Sequence, residues 1–155
     1  MSTVEQYDFV VIGSGPAGQK AAICAAKAGK RVLMVERERA VGGACVHHGT
    51  IPSKTLRETV MALRGLSRRS AGAVTAPLQE GTEVSALMTR LEDVVTGHEE
   101  YIAAQLRRND VAVARAFASF VSPTCLELKS RSGGRRRVEG RHIVLAVGSR
   151  PREPE

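Results

Sequence analysis

Aromatic residues make up only 3% of the chain, as two tyrosines, three phenylalanines and no tryptophan. Proteins that grip single-stranded nucleic acid stack bases on such rings, so a base-stacking platform is set aside. The 23 Lys and Arg against 16 Asp and Glu leave a net charge of +7, which alone would suit a polyanion. The excess gathers in SRRS (Ser67 to Ser70), LRRND (Leu106 to Asp110) and KSRSGGRRRVEGR (Lys129 to Arg141), which read as helix ends and a hairpin tip. Such runs are solvated surface, and no nucleic-acid partner is expected.

Cysteine is scarce as well. Cys24, Cys45 and Cys125 are odd in number and irregular in spacing, which fits neither a secreted disulfide framework nor a paired zinc motif. Cys24 and Cys125 read as buried apolar filler, and His47 and His48 as loop residues without metal-ligand spacing. No window approaches the roughly 20 apolar residues of a bilayer span. The start, MSTVEQYDFVVIG, lacks the basic opening and long apolar core of a signal peptide. A cytoplasmic location without a membrane partner is expected. What remains is ordinary globular composition, 43% apolar and 25% charged over 155 residues, enough for one domain with a hydrophobic core.

The run YDFVVI, Tyr7 to Ile12, is β-branched and aromatic without helical period, as a buried parallel strand is. Gly13-Ser14-Gly15-Pro16-Ala17-Gly18 follows, then a segment rich in alanine from Gln19 to Ala28 that Gly29 stops. RVLMVE, Arg31 to Glu36, reads as a second strand, completing a βαβ unit with a right-handed crossover. Pro52 suits the first turn of a helix carrying Leu56, Val60 and Leu63. A longer helix from about Val84 to Arg108 holds an apolar stripe through Leu87, Met88, Leu91, Val94, Val95, Ile102 and Leu106. Met61 and Met88 are expected in the core or at an interface, and Ser70 to Thr82 as a loop of small residues. VAVARAFASF, TCLELKS and RRVEGRHIVLAV read as a β-meander, with His142 to Val147 rejoining the parallel sheet beside the first strand.

The glycine turn carries the first chemical signal. A dinucleotide pyrophosphate must meet backbone N–H groups at a helix N-terminus, where bulky side chains would intervene. Gly13 permits the tight turn, Gly15 the approach of phosphate, and Gly18 the packing of helix on strand. Glu36 ends the second strand about twenty residues beyond the turn, the offset of an acid that binds ribose hydroxyls. A strand before, a helix after and that acid together point to a cofactor containing ADP.

Three segments, VVIGSGPAG, VERERAVGGACVHHGTIPSK and HIVLAVGSRPREPE, resemble the pyridine nucleotide-disulfide oxidoreductase flavoproteins. The resemblance runs along the whole chain but covers only the N-terminal portion of such enzymes. It implies an α/β, Rossmann-like FAD-binding domain: a parallel sheet with flanking helices plus a small antiparallel β-meander, incomplete here. Residues 1–155 are expected to form the N-terminal part of that domain, with the NAD(P)-binding and C-terminal dimerisation domains absent.

The resemblance implies that Gly13, Gly15, Pro16, Ala17 and Gly18 hold the pyrophosphate, that Glu36 and the adjoining Arg37 flank the adenosine ribose, and that Gly42, Gly43, Ala44, Cys45, Gly49 and Thr50 line the flavin. Lys54 would stand near flavin N5. Ala118 would present backbone to adenine, although Ala116 replaces a common glycine, and Gly148 and Ser149 match the closing turn.

Most members carry a second cysteine where this chain has Thr50. A threonine hydroxyl is neither oxidised nor ionised at neutral pH, so dithiol exchange is disfavoured. A cysteine, a histidine and then GTIPSK are the pattern of the transhydrogenase branch of the family, in which FAD relays hydride between NADPH and NAD. Cys45, Thr50 and Lys54 are then the candidate catalytic residues, with NAD(P) as substrates of a full-length homodimer. Two other readings stay open: a disulfide reductase of the dihydrolipoamide dehydrogenase kind using a displaced thiol, and a non-catalytic nucleotide-binding fragment.

Overall fold

The computed structural model describes residues 4–69, 82–149 and 152–153. Five strands, β1 (Glu5–Ile12), β2 (Val32–Glu36), β3 (Ala112–Phe120), β4 (Cys125–Ser130) and β5 (Arg135–Leu145), close into one ring in the order β1-β2-β3-β4-β5. Four helices accompany them: α1 (Pro16–Lys27), α2 (Gly43–His47), α3 (Thr50–Arg69) and α4 (Thr82–Arg108). None of the described helices is long and apolar enough to cross a membrane.

The ring has two kinds of pairing. β1 runs parallel to β2 and to β5, and β2 parallel to β3, while β3–β4 and β4–β5 are antiparallel. The last strand returns to the parallel sheet beside β1 as the sequence suggests, and β3 as well as β5 belongs to both sheet and meander. Ala112–Arg115 of β3 pair with β2 and Ala116–Phe120 with β4. β5 leaves β4 near Glu139 and continues along β1, with Phe9 opposite His142 and Ile12 opposite Leu145. At the crossover Gly140 has no room for a side chain, since a Cβ there would stand 2.7 Å from Val10 Cγ2.

Period-2 alternation divides the apolar residues between two cores. Val10, Leu33, Val35, Ala114, Ala116, Leu126, Leu128 and Val138 fill the ring. Val11, Val32 and Met34 point the other way and bury Ala22 of α1, Val46 of α2, and Ile102 and Leu106 of α4. β2 is buried along its whole length, which explains why VLMVE reads as an unbroken apolar run.

The helices depart from expectation where the sheet ends. α4 has 27 residues, about 40 Å of helix, whereas a five-residue strand such as β2 spans only about 16 Å. The sheet can cover only the C-terminal half, so Ile102 and Leu106 are buried while Val84 and Met88 are 65% and 44% exposed. Met61 of α3 is 51% exposed, so neither methionine is a core residue of this chain. Cys24 is not buried filler but exposed, because Ala22 is the α1 residue that faces the sheet and Cys24 lies about 200° further round. Cys125 is half-buried at the start of β4. His47 ends helix α2 instead of lying in a loop, and His48 caps that helix. The small-residue segment expected between α3 and α4, and the side chain of Leu63, lie outside the described residues.

Truncating Leu33, fully enclosed in the ring, is expected to lower unfolding free energy by about 2–5 kcal/mol in urea titration. Met88→Ala on the uncovered half of α4 is expected to stay within about 0.5 kcal/mol.

Candidate functional site

The carboxyl ends of β1 and β2 meet at the glycine turn. Ile12 hands the chain to Gly13, whose N–H donates to the Val35 carbonyl at 2.8 Å and whose φ of +103° favours glycine. A Cβ on Gly13 would lie 2.3 Å from the Ala146 carbonyl, just past β5. Gly18, one turn into α1, would place a Cβ 2.0 Å from the Gly13 carbonyl, so only glycine lets the helix sit this close. Gly15 differs: a Cβ there would touch nothing within 4 Å. No protein packing demands a glycine at that point, and the space above it is open.

Gly15 is the N-cap of α1 and provides no side-chain cap, Pro16 opens the helix, and the first turn holds no acid. Pro16 and Ala17 are exposed. The helix start therefore presents uncapped amide groups and the positive end of its dipole to open space, the chemistry that receives a phosphate anion.

Glu36 is only 7% exposed and organises the turn from below. Its Oε2 accepts the Ser14 N–H at 2.9 Å and the Ser14 hydroxyl at 2.5 Å, and its Oε1 accepts the Glu38 N–H at 2.9 Å. The Ser14 hydroxyl oxygen accepts in turn from the Gly42 N–H at 3.1 Å, and Gln19 Nε2 donates to the Ser14 carbonyl at 2.7 Å. Burial alone would push the Glu36 carboxyl up, but hydrogen bonds from the Glu38 amide, from the Ser14 hydroxyl and amide and from the Arg37 amide outweigh it. The carboxyl is held below its ordinary range. Oε1 keeps acceptor capacity for a further hydroxyl.

The second glycine segment closes the frame. A Cβ on Gly43 would stand 2.9 Å from Gly15 Cα, so the two loops touch backbone to backbone. Gly42 and Gly43 open α2, which carries exposed Ala44, half-buried Cys45 and buried Val46. Gly49 accepts both the Ser53 N–H and the Ser53 hydroxyl. Thr50 starts α3, and Lys54, four residues on, shares its helix face; both are exposed. Lys54 has no ion-pair partner among the described residues.

Of the other expected residues, Arg37 is exposed and pairs with Glu38 at 3.2 Å. Arg131 from the basic hairpin tip reaches the same Glu38 at 3.1 Å. Gly148 and Ser149 follow Ala146, which ties them to the turn. Ala118 lies opposite Leu128 and packs against the core inside the ring. Sequence reasoning passed over Ser14, Ala146 and Glu38. A hydroxyl between two glycines was the only available sign of Ser14, whereas Ala146 and Glu38 gain their roles from distant strands.

Comparison with known proteins agrees with this frame. The model of the pyridine nucleotide-disulphide oxidoreductase family matches residues 7–155. A soluble pyridine nucleotide transhydrogenase of Mycobacterium bovis is 40% identical over 152 residues, covering 97% of this chain and 32% of that protein. One from Pseudomonas putida is 39% identical over 158 residues, with the same shares. The HOCl-induced flavoprotein disulfide reductase RclA from Escherichia coli, in its Cu(II) complex, superposes with a TM-score of 0.74 at 26% identity, covering 97% of this chain and 30% of that one. The chain thus spans about a third of the length of the curated relatives it matches.

Ser14→Ala leaves the Gly42 N–H without its acceptor and removes one donor from Glu36, and is expected to cost about 1–3 kcal/mol in chemical denaturation. Because the folded carboxyl of Glu36 is held low, its stabilisation is complete above the unfolded value of about 4.3 and is lost as pH falls further. Glu36→Gln is therefore expected to flatten the acid limb of stability between about pH 5 and pH 2, measured as melting temperature against pH.

Proposed function

Since the chain belongs to the pyridine nucleotide-disulphide oxidoreductase family, we propose that it forms the FAD-side portion of a soluble pyridine nucleotide transhydrogenase. The reading is of a Rossmann-like dinucleotide fold: parallel β3-β2-β1-β5 pairing with α1 behind the turn, and a meander built from the outer halves of β3 and β5. On this proposal the full-length enzyme is a cytoplasmic homodimer, and the remaining two-thirds of its length supplies nicotinamide binding and dimerisation.

The observation that carries the proposal is the open, uncapped start of α1 at Gly15, framed by Glu36 on one side and Gly42–Gly43 on the other. The pyrophosphate of FAD fits there, against the amides of Ala17 and Gly18. Glu36 Oε1 has the acceptor capacity to take an adenosine ribose hydroxyl, and Ala118, Gly148 and Ser149 border the adenosine end. When bound, FAD supplies a carrier that accepts and returns a hydride, here from NADPH to NAD.

The chain's own residues hold and tune it. Gly42 and Gly43 would keep the flavin-side backbone free of side chains, and Lys54, without an ion-pair partner among the described residues, would offer its cation to the flavin. Thr50 presents a hydroxyl that neither oxidises nor ionises in the working range. Cys24, Cys45 and Cys125 are all free thiols and lie on three different elements, α1, α2 and β4. Cys45 therefore has no neighbouring thiol on its own element or the next, and the arrangement favours hydride relay over disulfide exchange.

Titration of the chain with FAD, and with ADP as competitor, tests the site. We expect a one-to-one complex that ADP displaces. Ala17→Glu, an exposed change that sets a negative charge at the helix start, is expected to weaken FAD binding about tenfold or more without lowering the melting temperature. Equal affinity in the variant would remove the helix start from the site. In the full-length enzyme, NADPH reduction is expected to give a long-wavelength thiolate–flavin absorption band with Thr50→Cys and none with threonine. A band in the unmodified enzyme would overturn the hydride-relay assignment.

A further inference from the structure

His47 ends α2, the element that carries Gly43 and Cys45, and both of its ring nitrogens are engaged. Nε2 lies 3.1 Å from the Val41 carbonyl and Nδ1 3.4 Å from Glu99 Oε1 on α4. A carbonyl oxygen can only accept, so Nε2 carries a hydrogen. Nδ1 faces the Glu99 carboxylate as the second polar contact of the ring. The side chains are 21% and 33% exposed, which shields the pair from water more than a surface pair. The other titratable ring nearby, His48, lies 6.2 Å away by ring centroids and is tilted from it.

Both partners are anchored. Glu99 lies one turn before Ile102, which is fixed in the core with Leu106, and Val41 is itself buried. His47 therefore closes Val41 to His47 upon itself and fastens that closed segment to the rigid half of α4. Gly42, Gly43 and Cys45 all lie within it.

We propose that His47, through the Val41 carbonyl and Glu99, is a positioning residue that sets how the Gly42–Cys45 segment is presented to the flavin. The proposal rests on reading this segment as flavin-lining, and it adds a group outside the cofactor contacts that governs them.

Alkylation of Cys45 by iodoacetamide, mapped by mass spectrometry, reads the segment directly. Cys24, exposed on α1, serves as internal reference. Four variants are compared with the unmodified chain: His47→Ala, Glu99→Ala, the double change and Glu99→Gln. His47→Ala, which loses both contacts, is expected to raise the Cys45 rate about fivefold relative to Cys24, Glu99→Ala, which keeps the Val41 contact, by a smaller factor, and the double change no further than His47→Ala, because Glu99 acts only through the imidazole. Glu99→Gln is expected to stay within about twofold of the unmodified chain, since its amide N–H can donate to Nδ1 of a neutral ring while Nε2 still donates to Val41. FAD affinity should fall with the alanine changes and return with glutamine. An unchanged Cys45 rate, single effects that multiply in the double variant, or glutamine behaving as alanine would each overturn the proposal. If the Cys45 pattern holds but no variant or parent binds FAD, the clamp stands and the flavin reading of the segment fails.

Discussion

A buried carboxylate fixes this site. Glu36 comes out of water at the end of a strand enclosed on both faces, where an uncompensated negative charge would be costly. It is tolerated because the Ser14 and Glu38 amides and the Ser14 hydroxyl donate to it. The same hydroxyl accepts from Gly42, so a single relay from Gly42 through Ser14 to Glu36 joins the glycine turn, the end of β2 and the start of the second glycine segment. Three stretches far apart in sequence are thereby held in one register. The open space above Gly15 results from that register, and bound cofactor is not needed to explain it.

The sheet supplies the rest of the constraint. Parallel strands end together, and a ligand crevice forms beyond their carboxyl ends. Here Gly13 is wedged between the Ala146 carbonyl and Gly18, so β1, β5 and α1 converge within van der Waals contact of one backbone turn. A side chain on Gly13 would have to displace the main chain at Ala146, just past β5, and one on Gly18 the main chain of the turn at Gly13. The turn is thus confined by backbone atoms and not by side chains that could move aside.

That dependence explains what could be read from sequence. YDFVVI, VLMVE and the glycine turn were legible because local rules decide them: both faces of the strands are buried, and the turn's glycines are dictated by sterics within a short span. Their boundaries moved by only a few residues, and the return of His142 to Leu145 beside β1 followed from the apolar run. The closed ring was not legible, since it also requires β3 to pair with β2 over Ala112–Arg115 and with β4 over Ala116–Phe120, which alternation within one strand does not reveal. Burial on α3 and α4 was misjudged for a related reason. An apolar stripe states which face would be covered, but the neighbouring elements determine how far: Met88 lies beyond the sheet, and Met61 is on α3, which packs on α2 and α4. Of the site, the glycines and Glu36 were named, but the bonds that organise them pass through Ser14, which no periodicity marks.

Thr50 gives the organisation of the Gly42–Thr50 segment its mechanical sense. A disulfide between cysteines at positions 45 and 50 would tie α2 covalently to the start of α3. With threonine at position 50 that tie is unavailable, and α2 is a helix of five residues, too short to hold its own geometry. Its placement must come from contacts outside it. Buried Val46 supplies an apolar anchor on the sheet side, and His47 supplies a polar one to α4 and to Val41. A segment fixed by one apolar and one polar anchor keeps Gly43 against Gly15 while Cys45 stays half-buried as a free thiol. With Thr50 in place the segment is held, among the described residues, by Val46 in the core and by His47 against Val41 and Glu99.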